Sequence, residues 1–314
     1  MRVFVAGAGG AIGRRLVPQL ADRGHEVIAT TRKREKLAEL RALGAEAVVM
    51  DGLDASSVGE AIARAEPEVV VHQMTALAGT SDLKHFDQTF ATTNELRTRG
   101  TEHLLAAADA VAVRRFVAQG YTGWPNAREG GPVKTEDDPL DPTPPAAMRR
   151  TLDALRRQEQ LLQGSRLEAV VLRYGSFYGP GAWDELVETV RRRKLPLVGK
   201  GTGVWSWIHT DDAAAATVAA VEATVTGVFN VTDDEPAPVS EWLPYLAEIV
   251  GAKPPRRVPV WLARLVAGET VVSMMTQIRG SSNARAKREL AWQPRWPSWR
   301  QGFREGLRDH RASS

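Results

Sequence analysis

Three glycines set three apart, Gly7, Gly10 and Gly13, are the first residues in this chain whose spacing could do chemistry. Without a side chain, the backbone can approach a diphosphate closely, and free N–H groups with a helix dipole bind its charge. A second feature is the basic run Arg32-Lys33-Arg34. A guanidinium can hold a ribose 2′-phosphate bidentately, where a carboxylate would repel it. A third is Asp51-Gly52, whose carboxylate can accept a hydrogen bond from an adenine amino group. The six histidines are scattered without metal-ligand spacing, and no metal is expected.

These residues need particular elements around them. Arg2 to Ala6 (RVFVA) has the bias of a buried strand, and Ile12, Leu16 and Leu20 then recur on one helix face. Gly24 suits the helix C-cap, and residues 25–30 read as a second strand. Pro18 removes one hydrogen bond inside the helix and predicts a local kink. Glycines at a strand-to-helix turn, with a second strand following, specify a dinucleotide site. An NAD site usually ends that second strand in Asp or Glu. Here it ends Thr30-Thr31-Arg32, with no acid until Glu35. The cofactor reading is therefore NADP(H) over NAD, with Arg32 on the 2′-phosphate and Lys33 or Arg34 in support.

Further strands are expected at 46–50, 69–72, 114–119, 167–173 and 227–231, with helices between them; Ser56 and Ser57 offer N-caps for one of these. This alternation gives the fold class: α/β, a Rossmann-type doubly wound parallel sheet with a smaller C-terminal substrate-binding region. Residues 1–180 would form the NADP-binding part, with 208–232 returning to it. Residues 181–207 and 233–314 would form the smaller part. The tryptophans at 242, 261, 292, 296 and 299 are expected in its core. Asp212, before an alanine run, is read as an N-cap.

Composition narrows the function. A net charge of +3 is small against 41 basic and 38 acidic residues, and no basic run stands out as a nucleic-acid surface, so no such partner is expected. The absence of cysteine excludes thiol nucleophiles, thiolate metal sites and disulfides. No apolar stretch approaches the roughly 20 residues of a membrane span, and the strand at residue 2 leaves no room for a leader. The expectation is a cytoplasmic protein with a small-molecule substrate, possibly a homodimer.

In order, the segments GAGGAIG, DGLD, VVVHQMTAL, RRFVAQGYTGWP, LRYGSFYGPG, SWIHTDDAAAA and RELAWQPRWPSW resemble the extended short-chain dehydrogenase/reductases, the NAD-dependent epimerase/dehydratase group, over nearly the full length. The resemblance implies a Rossmann sheet with a small substrate domain. It implies that Gly7, Gly10, Ile12 and Gly13 meet the diphosphate and that Asp51 and Gly52 meet the adenine. His72, Gln73 and Met74 would run beside the ribose, and Tyr174, Gly175 and Ser176 would border the nicotinamide. The chain departs from the pattern at the redox centre. Where the family carries Tyr-x-x-x-Lys, counted back from Glu159, this chain has Thr151 and Leu155. An asparagine usual three residues before Gly100 is Arg97. Leucine cannot lower a phenol pKa, and threonine is a poor acid at neutral pH.

Tyr121, at a strand end, is the remaining candidate proton donor, with Thr151 to orient it. His209 in IHTDD is read as structural. Trp124, Tyr178, Trp183, Trp205 and Trp207 fall near loops expected to face the cleft and would line an apolar or aromatic substrate pocket. Trp205-Ser206 stands where nucleotide-sugar enzymes often carry Arg-Asp, which argues against a diphosphate sugar; Arg279 could still hold an anion. The leading reading is an NADP(H)-dependent oxidoreductase of a small, rather apolar carbonyl or alcohol. The alternatives are a non-redox isomerase, dehydratase or cyclase on the same fold, or a non-catalytic NADP(H)-binding sensor.

Overall fold

The structure, a computed structural model, describes residues 1–77 and 84–312. Seven strands form the central sheet: β1 (Arg2–Ala6), β2 (Glu26–Thr31), β3 (Glu46–Val49), β4 (Val69–His72), β5 (Arg115–Tyr121), β6 (Glu168–Tyr174) and β7 (Gly227–Val231). Their order is β7-β6-β5-β4-β1-β2-β3, all parallel. Because helices cover both faces, the inner strands read as unbroken apolar runs: Val69 to His72 is buried at every position. The order reverses at β1, between β2 and β4, and this opens a crevice at the carboxyl ends of those strands.

Helices α1 (Gly13–Asp22), α2 (Ala55–Ala65), α3 (Thr101–Asp109), α4 (Arg149–Gln163) and α5 (Thr210–Glu222) build the layers. Leu16, Val17 and Leu20 of α1 pack with Ala213, Ala216 and Ala220 of α5 on one face of the sheet. Val58 and Ile62 of α2 pack with Leu104 and Ala108 of α3 on the other. The α1 helix runs through Pro18 to Asp22, so the proline costs a hydrogen bond rather than the helix.

Two capping expectations are corrected. Asp54, not Ser56 or Ser57, caps α2, its carboxylate accepting from both serine N–H groups at 2.9 and 3.3 Å. Asp212 lies inside α5, whose cap is the His209 ring accepting from the Asp211 N–H. The Asp212 carboxylate instead accepts from the N–H groups of Arg295 and Trp296, at 2.8 and 2.9 Å, and so pins the C-terminal segment.

Three further helices, α6 (Val239–Ile249), α7 (Val260–Thr276) and α8 (Trp299–Ala312), follow the sheet. A third apolar core lies here, with Tyr178, Trp183, Trp207, Trp242, Trp299 and Phe303 in mutual contact. Trp242 and Trp299 are buried in this core as expected and Trp296 is half-buried against it, but Trp292 packs into the core of the main sheet and Trp261 is 67% exposed. The loop after β5 is tied down by Val133–Lys134, which pairs in parallel with Gly280–Ser281. Among the described residues, no helix is long and apolar enough to cross a membrane.

Candidate active site

The glycine turn shows why each glycine is needed. Gly7 has φ +92°, and a Cβ there would stand 2.7 Å from the Gln73 carbonyl beyond β4. A Cβ on Gly13 would stand 2.4 Å from the Ala8 oxygen. These two glycines serve packing. A Cβ on Gly10 would meet nothing nearer than the Gly7 oxygen at 3.5 Å. Its open side is a cradle at the N-terminus of α1, which fits a diphosphate. Ile12 is buried in the core, so only its backbone is left to face a ligand there.

Beside the turn, a Cβ on Gly9 would lie 3.7 Å from Lys36 Cδ and 3.8 Å from Thr31 Oγ1. Lys36 therefore joins Arg32 in the basic corner at the end of β2. Arg32, Lys33 and Arg34 are exposed, and none has an ion-pair partner among the described residues. Across the crevice, Asp51 Oδ1 accepts from the Leu53 N–H at 3.0 Å. Gly52 lies under Met74, where a Cβ would come within 2.4 Å of its sulfur.

His72, Gln73 and Tyr174 sit beneath this surface, and their side chains turn inward. The His72 Nδ1 accepts from the Met74 N–H, and Nε2 donates to the Leu96 carbonyl. That fixes a neutral ring, whose pKa burial lowers to about 4. Gln73 Nε2 donates to the Tyr174 hydroxyl at 3.2 Å, which also pairs with Thr217 Oγ1 at 2.7 Å. Burial pushes the Tyr174 phenol up to about 12. Both rings are thus engaged within the core, which leaves the backbone of these residues to face a ligand in the crevice.

At the far end of the crevice, β5 delivers Tyr121. Its hydroxyl lies 2.8 Å from Ser176 Oγ, just past β6. Both line a pocket with Thr122, Trp124, Trp205 and Ser206, closed by Met274 and Ile278. The Tyr121 and Trp124 rings lie 6.2 Å apart, and Trp124 meets Phe86 edge-on at 5.2 Å. Trp205 stacks on Trp207 at 5.5 Å and donates its Nε1–H to the Met274 carbonyl. Thr122 fixes the strand end through a 2.6 Å bond between its hydroxyl and that of Ser281. A Cβ on Gly175 would lie 2.6 Å from the Ser206 carbonyl, so that glycine lets the pocket wall close. Burial raises the Tyr121 pKa above the ordinary phenol value, against a lowering pull from Ser176 and Arg97. The phenol keeps its proton at neutral pH, and burial makes it a weaker acid than a free phenol.

Other expected members of the pocket lie elsewhere. Tyr178, Trp183 and Trp207 are at most 1% exposed, because the aromatic C-terminal core claims all three. Thr151 does not orient Tyr121. Its hydroxyl donates to Asp87 Oδ1 at 2.7 Å and accepts from Asn94 Nδ2 at 3.0 Å. Leu155 is buried, and Glu159, one turn on, forms a two-bond fork with Arg173 at 2.7 Å each.

Sequence reasoning noted Arg97 only as a departure from the asparagine pattern. It sits on a π-helical turn, Leu96–Gly100, against α4, and is 4% exposed. Burial lowers its pKa to about 10, and the nearby Tyr121 counters this. Its Nη1 is buried without a hydrogen-bond partner. The wider coil of a π-turn has no signature in local sequence.

The sequence profile of the NAD dependent epimerase/dehydratase family matches residues 3–232. The chain belongs to that family. It is accordingly an enzyme-family Rossmann protein, with the NAD(P) crevice described above. Over 308 residues it is 45% identical to the 3-diazoavenalumate denitrifying reductase of a Streptomyces species, covering 96% of this chain and 99% of that one. Among solved structures it is similar to the UDP-glucose 4-epimerase of Thermotoga maritima, solved with UDP-glucose: TM-score 0.78, 21% identity, 100% and 99% of the two chains covered. It is also similar to a human epimerase family protein solved with NADPH, at TM-score 0.76 and 21% identity over 98% and 100%. At these identities the structural likeness establishes the fold.

Proposed function

We propose that this epimerase/dehydratase-family chain is an NADP(H)-dependent reductase of a small aromatic substrate held in the Tyr121 pocket. The observation that carries the reading is the Tyr121–Ser176 hydroxyl pair, 2.8 Å apart, facing a pocket walled by Trp124 and Trp205. The pair lies at the carboxyl edge of the same sheet that presents the glycine cradle. When bound, the reduced cofactor supplies a hydride. The chain's residues would hold it: the Gly10 cradle, kept in shape by Gly7 and Gly13, at the diphosphate, and Arg32 with Lys36 at a ribose 2′-phosphate. Trp124 and Trp205 offer flat faces to a ring and exclude water from the Tyr121 hydroxyl.

The absence of the Tyr-x-x-x-Lys pair gains a chemical meaning from the reductase of 45% identity, whose name specifies a diazo substrate and loss of nitrogen. Hydride addition to a carbonyl leaves an alkoxide that must receive a proton. Hydride addition to an aryl diazonium carbon forms the C–H bond as the C–N bond breaks, and its electron pair departs with N₂. Nothing remains to be protonated. A site with one unassisted phenol suits the second reaction better than the first.

The test offers the purified protein NADPH with an aryl diazonium salt and, in parallel, with aromatic aldehydes and ketones, following cofactor oxidation and the arene or alcohol formed. Cofactor-dependent arene formation is expected, faster than any carbonyl reduction. NADPH binding without hydride transfer to either class would overturn the reading in favour of a non-redox enzyme or a sensor.

A further inference from the structure

Arg97 is an unusual expense for a fold. The residue is only 4% exposed, its Nη1 is buried without a hydrogen-bond partner, and no carboxylate pairs with it among the described residues. A buried cation with free donors is destabilising unless something charged or polar meets it. Arg173 is held by Glu159 through two bonds, and Arg115 by Glu168 and the carbonyls of Ala220 and Val225, with only its Nε unpartnered. Arg97 is left without such a partner; Arg279, next to Ile278 of the pocket wall, also keeps a buried Nε unpartnered. The π-turn that carries it lies between Gly52 and Met74 on the nucleotide side and α4 on the other. Its charge is felt at both His72 and Tyr121. His72 spends both ring nitrogens on backbone and offers no anion. Tyr121 keeps its proton and offers none either.

We propose that Arg97, acting with the Tyr121 hydroxyl, is a binding site for a carboxylate on the substrate. The proposal rests on the reductase reading and narrows its substrate class to aromatic acids. A carboxylate satisfies a guanidinium through parallel charge-assisted bonds, which neutral ribose hydroxyls cannot match. It also compensates the buried charge. On this proposal the ring would lie against Trp124 and Trp205 after the pocket opens, with the acid group turned toward Tyr121 and Arg97.

Binding of a matched pair, cinnamate and cinnamamide, to the NADP⁺-saturated protein tests this by tryptophan fluorescence or calorimetry. Cinnamate is expected to bind roughly ten- to a hundredfold more tightly than the amide, the usual scale of a charge-assisted contact. Arg97→Gln should erase that preference and leave cinnamamide within about twofold, and Arg97→Lys should keep part of it. Three results would each overturn the proposal: equal or undetectable binding of the two ligands by the unmodified protein; a preference that survives Arg97→Gln or vanishes instead with Arg279→Gln; or a matching loss of NADP⁺ affinity in Arg97→Gln. The comparison on the unmodified protein decides the matter even where Arg97→Gln does not fold. Because no turnover is needed, a protein that prefers cinnamate but transfers no hydride would refute the reductase reading and leave the carboxylate site standing.

Discussion

At the glycine end of the crevice the ligand surface is made of backbone, whereas at the Tyr121 end it is made of side chains from distant segments. Gly7, Gly10 and Gly13 lie within seven residues of one another and act through what they lack. Tyr121, Ser176, Trp205 and Met274 are spread over about half the chain and meet only because the fold brings them there. The glycine end also keeps its family pattern, and the Tyr121 end has lost it. A cradle made of backbone does not depend on which side chains face the substrate, so it can stay fixed. Substrates differ, and side chains can be exchanged one at a time without disturbing the sheet.

The sharpest way to break this contrast is to place bulk at the cradle. Gly10→Val should lower cofactor affinity at least ~100-fold with the melting temperature nearly unchanged, since the new side chain fills the ligand's space and not the protein's. Gly13→Val, pressed against Ala8, should instead cost upwards of about 3 kcal/mol in denaturant unfolding. If both variants behave alike, Gly10 is a packing residue too, and the cradle reading is wrong.

At the other end, Tyr121→Phe keeps the ring and removes only the hydroxyl. Loss of a general acid costs on the order of 10²–10⁴ in rate, and that loss is expected for any carbonyl the protein reduces. Turnover of a diazonium substrate should fall by less than ~10-fold, because no proton is transferred there. Steady-state kinetics on both substrates separates the roles, and equal losses would mean that the hydroxyl orients substrate in both.

His72 gives a test within the backbone-built half. Its ring titrates near 6.5 when unfolded and at about 4 in the fold. Between those values the unfolded chain binds the additional proton, so stability is complete above the unfolded pKa and falls as the pH drops toward 4. The loss is about 3 kcal/mol for this group. Denaturant melts of the protein and of His72→Gln across that range should show a shallower acid decline in the variant. Parallel curves would mean that the ring is not held neutral.

The smallest effect is expected at the basic corner. Arg32→Ala should reduce the preference for NADPH over NADH roughly tenfold, the scale of one exposed charge-assisted contact. Lys36→Ala should add to it, because Lys36 reaches Gly9. An unchanged preference in the double variant would place 2′-phosphate recognition elsewhere.

Much of this was legible in the chain itself. Seven apolar runs separated by helical periodicities specify a parallel sheet, because only burial on both faces tolerates such strands. The glycine spacing specifies the cradle, because φ and close approach are properties of single residues in a local turn. The departures at Thr151, Leu155 and Arg97 were equally visible as residue types. What those residues do was decided only by tertiary structure. Tyr178, Trp183 and Trp207 have the same composition and loop setting as Trp124 and Trp205, yet the first three fill a core and the last two line a pocket. Which aromatic is wet depends on the packing of α6 and α8, and no local pattern records it. Thr151 is spent on Asp87, more than sixty residues away, and Ser176 takes the place beside Tyr121. Arg97 becomes a free buried charge only because a π-turn swings it inward from a helix whose sequence reads as ordinary. Local sequence sets backbone geometry because those forces act over a few residues. The partner of a side chain is set by contacts across the whole chain, and these exist only once it has folded.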